Sequence, residues 1–338
     1  MKKSLLNILK FLAFLSLGIV LLYFAFKGIK FQQLVKAFQS VNYWWVLLSL
    51  VFAFIAYASR AYRWSLLIEP LGYSPTFSNS FYSLMIGYLA NFAFPRIGEI
   101  TRCGTLSRTE KIPVDSLIGT VIIERATDLL SLLTLLIILI VAKFNFFGSF
   151  FNKNIFNPFY EKVAATFNFS VVIWIFIFSS ILLFILLYFI FRARLAKLLF
   201  VKKTKKAIKG ILSGIKTVYT MKKRGQFLLH TVLIWVMYWL MTYVVVFAIP
   251  ATSDLTMVDG LFLLVIGGLG MSAPVQGGIG AYHWIVSLGL TIYGIPRADG
   301  LAFATISHES QSLFAIALGT MSFLVLFFAK KKKTVTVV

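Results

Sequence analysis

Six ionisable side chains stand where an otherwise apolar chain has little reason to keep them. Arg96, Glu99 and Arg102 fall in one short break, and Glu124, Arg125 and Asp128 in the apolar run after it. A charge inside hydrocarbon costs at least about 2.5–3.5 kcal/mol even on the lenient insertion scale, so each needs a partner or a task. Glu124 and Asp128 are four residues apart and share one helix face, and Arg125 and Asp128 are three apart and also approach. Three cations balance three anions. In one reading all six pair and simply lock the break to the following helix. In the other a guanidinium stays available to hold a phosphate through its bidentate fork. Arg96 is favoured for that task because it lies in the break itself. Arg102 or Arg125 would assist, while Glu99, Glu124 and Asp128 steer the guanidinium. Burial disfavours charge, so a proton-coupled role for Glu99 or Glu124 is a further expectation.

A second break lies at the matching point of the other half. It holds Pro274, Gly277, Gly278 and Gly280, with His283 just after it. The polar run Thr305–Ser312 interrupts the last apolar stretch and places His308 and Glu309 deep in it. Ser, Thr and Gln there serve as ordinary interhelical glue. His308 and Glu309 are read as lining the same cavity as the first break. His283 is read as lining or interfacial, and His230 as a headgroup neighbour.

Other chemistries find no template. Three scattered His and one Cys do not make a spaced transition-metal cluster, so no metal or other cofactor is expected. The glycine repeats at 267–270 and 277–280 follow no strand, which removes the dinucleotide-loop reading. Their ordinary role is a tight turn and close helix packing. Cys103 is the one cysteine, so an intrachain disulfide is excluded and a reduced spectator thiol is expected.

The elements that must position these residues are membrane helices. Of 338 residues, 59% are hydrophobic. Runs near the roughly 20 residues that cross hydrocarbon recur along the chain. The expected fold is all-α and polytopic, a single integral membrane domain over 1–338. Six spans are expected: Ile8–Phe26, Trp45–Ile68, Ser116–Val141, Val171–Phe191, Phe227–Ile249 and Asp299–Ala329. Lys27–Asn42 is an amphipathic connector, and Tyr43, Trp44 and Trp45 form an interfacial aromatic belt. Arg60 and Arg63 are expected to snorkel from their span end. Phe77–Phe94 and Met257–Ala273 are too short to cross comfortably and turn back at the two breaks, so each opens a re-entrant hairpin.

Basic residues orient this arrangement. Phe191–Gly225 carries twelve Lys and Arg and no acid, and Lys330–Lys333 and Lys2, Lys3 and Lys10 mark the ends. The positive-inside rule then puts both termini and the basic segment 192–225 in the cytosol. Helical spacing of Ile208, Ile211, Leu212, Ile215 and Tyr219 opposite lysines describes a helix on an anionic leaflet, held through Lys202–Lys209. The net charge of +22 therefore speaks for membrane orientation and not for nucleic acid. Lys2 and Lys3 precede an apolar run without a convincing cleavage pattern, so the first span is expected to be retained. Each half, roughly 1–142 and 169–330, contributes three spans and a hairpin. An odd span number gives the halves opposite orientation. That is an inverted repeat, in which paired helix breaks mark a midplane site.

At these residues the chain resembles the transmembrane region of lysylphosphatidylglycerol synthases, a flippase-like family. The resemblance rests on Asn91-Phe92-x-Phe94-Pro95-Arg96-x-Gly98-Glu99-x-x-Arg102, on Glu124-Arg125-x-x-Asp128, and on Pro274-x-x-Gly277-Gly278-x-Gly280. It covers nearly the whole chain. The family implies a bacterial inner-membrane protein that moves phospholipid, aminoacylated or otherwise phosphate-bearing, between leaflets. Its bifunctional members carry a soluble aminoacyltransferase after the membrane region. The sequence here runs to Val338 without one, so synthase activity is not expected. A membrane enzyme acting on lipid or polyprenyl phosphate through Glu124 and Asp128 is the alternative, as is a membrane subunit that recruits a separate enzyme. A homo-oligomer is compatible with either.

Overall fold

The computed structural model describes residues 2–94, 97–146, 157, 178–180, 182–183 and 218–335. Among these residues all regular structure is helical. The first half contains α1 (Lys2–Phe26), α2 (Phe31–Gln39), α3 (Tyr43–Ile68), α4 (Phe77–Ala93), α5 (Gly98–Glu110) and α6 (Val114–Ala142). The second contains α7 (Arg224–Val244), α8 (Met257–Met271), α9 (Ala281–Thr291) and α10 (Arg297–Val335).

Local chemistry starts several of these helices. The Asn42 side chain accepts from the Trp44 amide at the head of α3, and the Thr76 side chain accepts from Asn79 at the head of α4. Thr256 and Asp259 form a capping box before α8. Each satisfies amide donors that a helix start leaves unpaired.

Four described helices are long and apolar enough to cross a membrane: Tyr43–Leu71, Val114–Ala142, Arg224–Ala248 and Arg297–Ala329. The α1–α2 pair, bent by 87°, makes a fifth if it is one span. The six-span expectation thus becomes four or five among the described residues. The remaining expected span, Val171–Phe191, lies almost wholly outside them, as do most of the basic segment 192–225 and all of Lys202–Lys209. The amphipathic connector forms α2.

Both expected hairpins are present as helical pairs. In the first, Gly87 and Gly98 bring α4 and α5 into backbone contact, since a Cβ on Gly98 would collide with the Gly87 carbonyl. The Gly98 amide donates to Asn91 Oδ1 at 2.8 Å across the break. In the second, a Cβ on Gly270 would stand 2.9 Å from the Tyr282 backbone, so α8 and α9 also touch through glycine. The turn between them holds Gly277, Gly278 and Gly280 at φ of 56°, 82° and 85°. That left-handed run is cheap for glycine alone.

The helix pairing is reciprocal between halves. α3 lies along α7, antiparallel, with Asn42 near Ala248 and Arg63 near Thr231. α4 packs on α10, and its counterpart α8 packs on α6. Exchanging the two halves maps one contact onto the other. The same exchange relates α3–α4 to α7–α8 and α5–α6 to α9–α10. The largest apolar core gathers Val41, Val245, Ile249, Leu263, Val286 and Phe303 around α8, α9 and α10.

Candidate functional site

The first-half charges are assembled by three helices. α6 presents Glu124 and Asp128 on one face, four residues apart as expected. α3 presents Arg60 and Arg63, three apart, towards them. Arg60 Nε donates to Glu124 Oε1 at 2.9 Å and Nη2 to Asp128 Oδ2 at 2.6 Å. Arg63 Nη2 donates to Asp128 Oδ1 at 2.6 Å. α5 brings Arg102, whose Nη2 donates to Glu124 Oε2 at 2.8 Å while its guanidinium lies 4.6 Å over the Trp64 ring. Glu124 is fully buried, so it is a shared counter-ion for the break and for α3.

The snorkelling expectation for Arg60 and Arg63 is therefore corrected. Both are buried, Arg63 fully, and both point into the interior. Hydrocarbon offers them no partner, whereas Glu124 and Asp128 neutralise them at hydrogen-bond distance. Two cations three apart on α3 thus face two anions four apart on α6, across more than 60 residues of sequence.

Arg125 and Glu99 form the outlying member. Arg125 Nε is 2.6 Å from Glu99 Oε1, and Arg125 Nη1 is 3.7 Å from Asp128 Oδ2. Their side chains are 44% and 42% exposed, unlike the rest. Counted among the described residues, four guanidinium groups meet three carboxylates, which leaves one positive charge. Arg96 and Pro95 lie outside the described residues, so the favoured phosphate ligand has no described position.

The second half brings together residues whose spacing had looked scattered. His283 on α9 and His308 on α10 are both buried, with ring centroids 5.1 Å apart. Glu309 Oε1 lies 3.0 Å from His308 Nδ1 and 3.4 Å from His283 Nε2. His308 Nε2 lies 2.8 Å from the Gly277 carbonyl in the second break. The three ligand-type atoms sit within 4.8 Å of one another. A metal would need His283 Nε2 bare. The Gly280 amide donates to His283 Nδ1 at 3.4 Å, which leaves the ring proton on Nε2. The donor set as arranged therefore suits protons better than a metal ion. His230, partly exposed, has its Nδ1 2.7 Å from Ser59 Oγ on α3. Cys103 is a buried free thiol beside Leu106 and Ile112.

One cavity of about 670 Å³ connects the two halves. It is lined by the charged Arg60, Glu99, Arg125 and Asp128 of the first half and by His308, Gln311 and Ser312 of the second. Gly277 and Gly278 line it at the second break, and Asn91 and Phe92 at the first. A Cβ on Gly277 would stand 2.8 Å from the Phe92 ring, so the two breaks meet. Arg102, Glu124 and Glu309 sit behind this lining. Pro274 shapes the turn without reaching the cavity, and Gly280 seats α1, where a Cβ would strike the Gly18 carbonyl. Sequence reasoning missed Tyr57, Tyr88 and Tyr238, which line the cavity beside Arg60. Tyr238 accepts from Arg60 Nη1 at 3.1 Å. Nothing in their spacing sets these aromatics apart from ordinary apolar filling.

A chain whose described residues are helical, with several apolar spans, two broken helical hairpins and buried charges between them, is a multi-pass membrane protein. The chain belongs to the lysylphosphatidylglycerol synthase transmembrane-region family, whose model matches residues 7–319. It is also similar to the UPF0104 membrane protein MJ1595 of Methanocaldococcus jannaschii. That protein is 24% identical over 355 aligned positions, covering 96% of this chain and 95% of the relative. No solved structure matches the chain.

Proposed function

We propose that this protein moves phosphate-bearing lipids between the leaflets of a membrane. One observation carries the reading: a single cavity joins both helix breaks and combines guanidinium groups with apolar walls such as Leu129, Leu132 and Leu264. Its volume falls within the roughly 300–1,000 Å³ of small-ligand sites. A headgroup needs the polar part, and acyl chains need the apolar part. Family membership supports a role connected with membrane lipids.

Within this reading Arg125 is the exchangeable cation. Its half-exposed pair with Glu99 is worth only about 0–1 kcal/mol, so a phosphate can displace the carboxylate. Arg60 is held by the buried Glu124 and the partly buried Asp128 and orients the field. The basic segment would sit on an anionic leaflet through Lys202–Lys209, with both termini cytosolic in a bacterial inner membrane. Movement of one repeat against the other would alternate access.

Proteoliposomes carrying fluorescent phosphatidylglycerol or phosphatidylethanolamine, read by dithionite accessibility, test the proposal. Wild type should equilibrate at least one lipid faster than empty vesicles, and Arg125→Ala should slow it. Wild-type rates equal to those of empty vesicles for every lipid would remove the proposal.

A further inference from the structure

We propose that the His283–His308–Glu309 cluster binds an exchangeable proton, and that this proton and an anionic headgroup favour one another in the shared cavity. The second clause rests on the lipid-phosphate reading above; the first does not.

The Gly277 carbonyl only accepts, so His308 Nε2, 2.8 Å away, carries a hydrogen. A neutral imidazole then has a lone pair at Nδ1. That lone pair faces Glu309 Oε1 at 3.0 Å, and a carboxylate also only accepts. Two acceptors cannot face each other at that distance without a proton between them. His283 does not supply it. The Gly280 amide occupies its Nδ1, and its Nε2–H already points at the same Glu309 oxygen, 3.4 Å away. The arrangement therefore holds one proton beyond those of neutral His308 and ionised Glu309. Water supplies it to His308 Nδ1, since imidazole is ordinarily more basic than carboxylate, and takes it back, with no other bond changed.

Charge makes the consequence. With the proton the cluster is neutral overall; without it the cluster carries one negative charge. His308 lines the cavity that also holds Arg60, Arg125, Asp128 and Glu99. Other titratable neighbours come from the helices packed on α10. α9 adds Tyr282, whose ring centroid is 5.0 Å from that of His308. α4 adds Tyr88, and α3 adds Tyr57 and Arg60; all three line the cavity. α2 carries Lys36 and follows Lys30, neither of which lines it. A phosphate entering beside Arg125 meets less repulsion when the cluster holds its proton. By linkage, a bound phosphate must then tighten the proton by the same factor.

Nitrogen-15 NMR on histidine-labelled protein in phosphatidylcholine nanodiscs reads the first clause. The chain has three histidines, and His230→Gln removes one resonance set. His308 should carry hydrogens on both ring nitrogens, one facing the Gly277 carbonyl and one facing Glu309. Glu309→Gln should return it to the neutral Nε2–H tautomer. A neutral His308 in the wild type overturns the proton site. Zinc retained at one ion per chain and lost in His308→Ala also overturns it. Dioctanoyl phosphatidylglycerol titrated into the same nanodiscs reads the second clause. Its affinity should be about 10-fold weaker at about pH 9 than at about pH 6 in wild type, and unchanged in Glu309→Gln. Equal affinity at both pH values in wild type overturns the coupling. A probe that binds at neither pH overturns the lipid-phosphate reading, and the NMR result then decides the proton site alone.

Discussion

Glu124 is the residue on which the first-half charges depend. It receives Arg60 and Arg102 at full burial, so removing its charge strands cations in the interior. Breaking a buried pair costs about 3–5 kcal/mol, against about 0–1 kcal/mol for an exposed one. Glu124→Gln should therefore lower the thermal midpoint in detergent sharply, while Glu99→Gln should barely move it. Comparable losses from both would contradict the geometry. The shared face of Glu124 and Asp128 was legible because helix periodicity is local. Their partners on α3 were not, because pairing across more than 60 residues leaves no periodic trace, and a cation near a span end snorkels by default. The pairing of His283 with His308 stayed hidden for the same reason, since the two are separated in sequence and joined only when α9 packs on α10.

Among the elements, the hairpins were the most legible, since a Pro or Gly break in a short apolar run has few other meanings in a membrane. Their tightness was not, because close approach depends on glycines seven or more residues apart. At Gly98, an added Cβ meets the Gly87 carbonyl and the Asn91 side chain. Gly98→Ala should cost about 1–3 kcal/mol by overpacking. Gly104 on the same helix α5 meets nothing within 4 Å, and Gly104→Ala should be neutral or gain about 0.5–1 kcal/mol. A midpoint series on both variants checks the contrast.

The open end of the first hairpin is tied by Glu110, which accepts from the Thr76 amide at 2.9 Å, Thr76 Oγ1 at 2.8 Å and Asn79 Nδ2 at 2.7 Å. Partial burial pushes its carboxyl up, but the bonds from Asn79 and Thr76 outweigh that and hold it below the ordinary 4.5. A depressed carboxyl contributes stability that is present above its unfolded value and lost as pH falls through the lower folded one. Hydrogen-exchange protection in the first turn of α4 should therefore fall only in acid, below pH 4.5. In Glu110→Gln that protection should be low already at neutral pH.

At the scale of the whole molecule, transport would require the halves to shift about the cavity they share. Leu132 on α6 and Gly268 on α8 both line it, and a Cβ at Gly268 would lie 3.7 Å from Leu132 Cδ1. A disulfide between Leu132→Cys and Gly268→Cys should hold lipid movement at the rate of empty vesicles, and dithiothreitol should restore it. Undiminished movement in the oxidised protein would argue against relative motion of α6 and α8. The halves themselves were readable from the paired breaks. Their mutual embrace was not, since hydropathy carries no record of which helix covers which.

That embrace sets an order in time. The α4–α5 hairpin rests on α10, where a Cβ on Gly319 would meet the Met85 carbonyl at 2.8 Å. Gly319 is made more than 200 residues after Met85. A nascent chain emerging from the ribosome thus holds its first hairpin without its seat for most of synthesis. Arg102 must meanwhile find Glu124 or stay close to water. The unfinished protein is accordingly most vulnerable to membrane proteases and most in need of insertion chaperones just before α10 arrives.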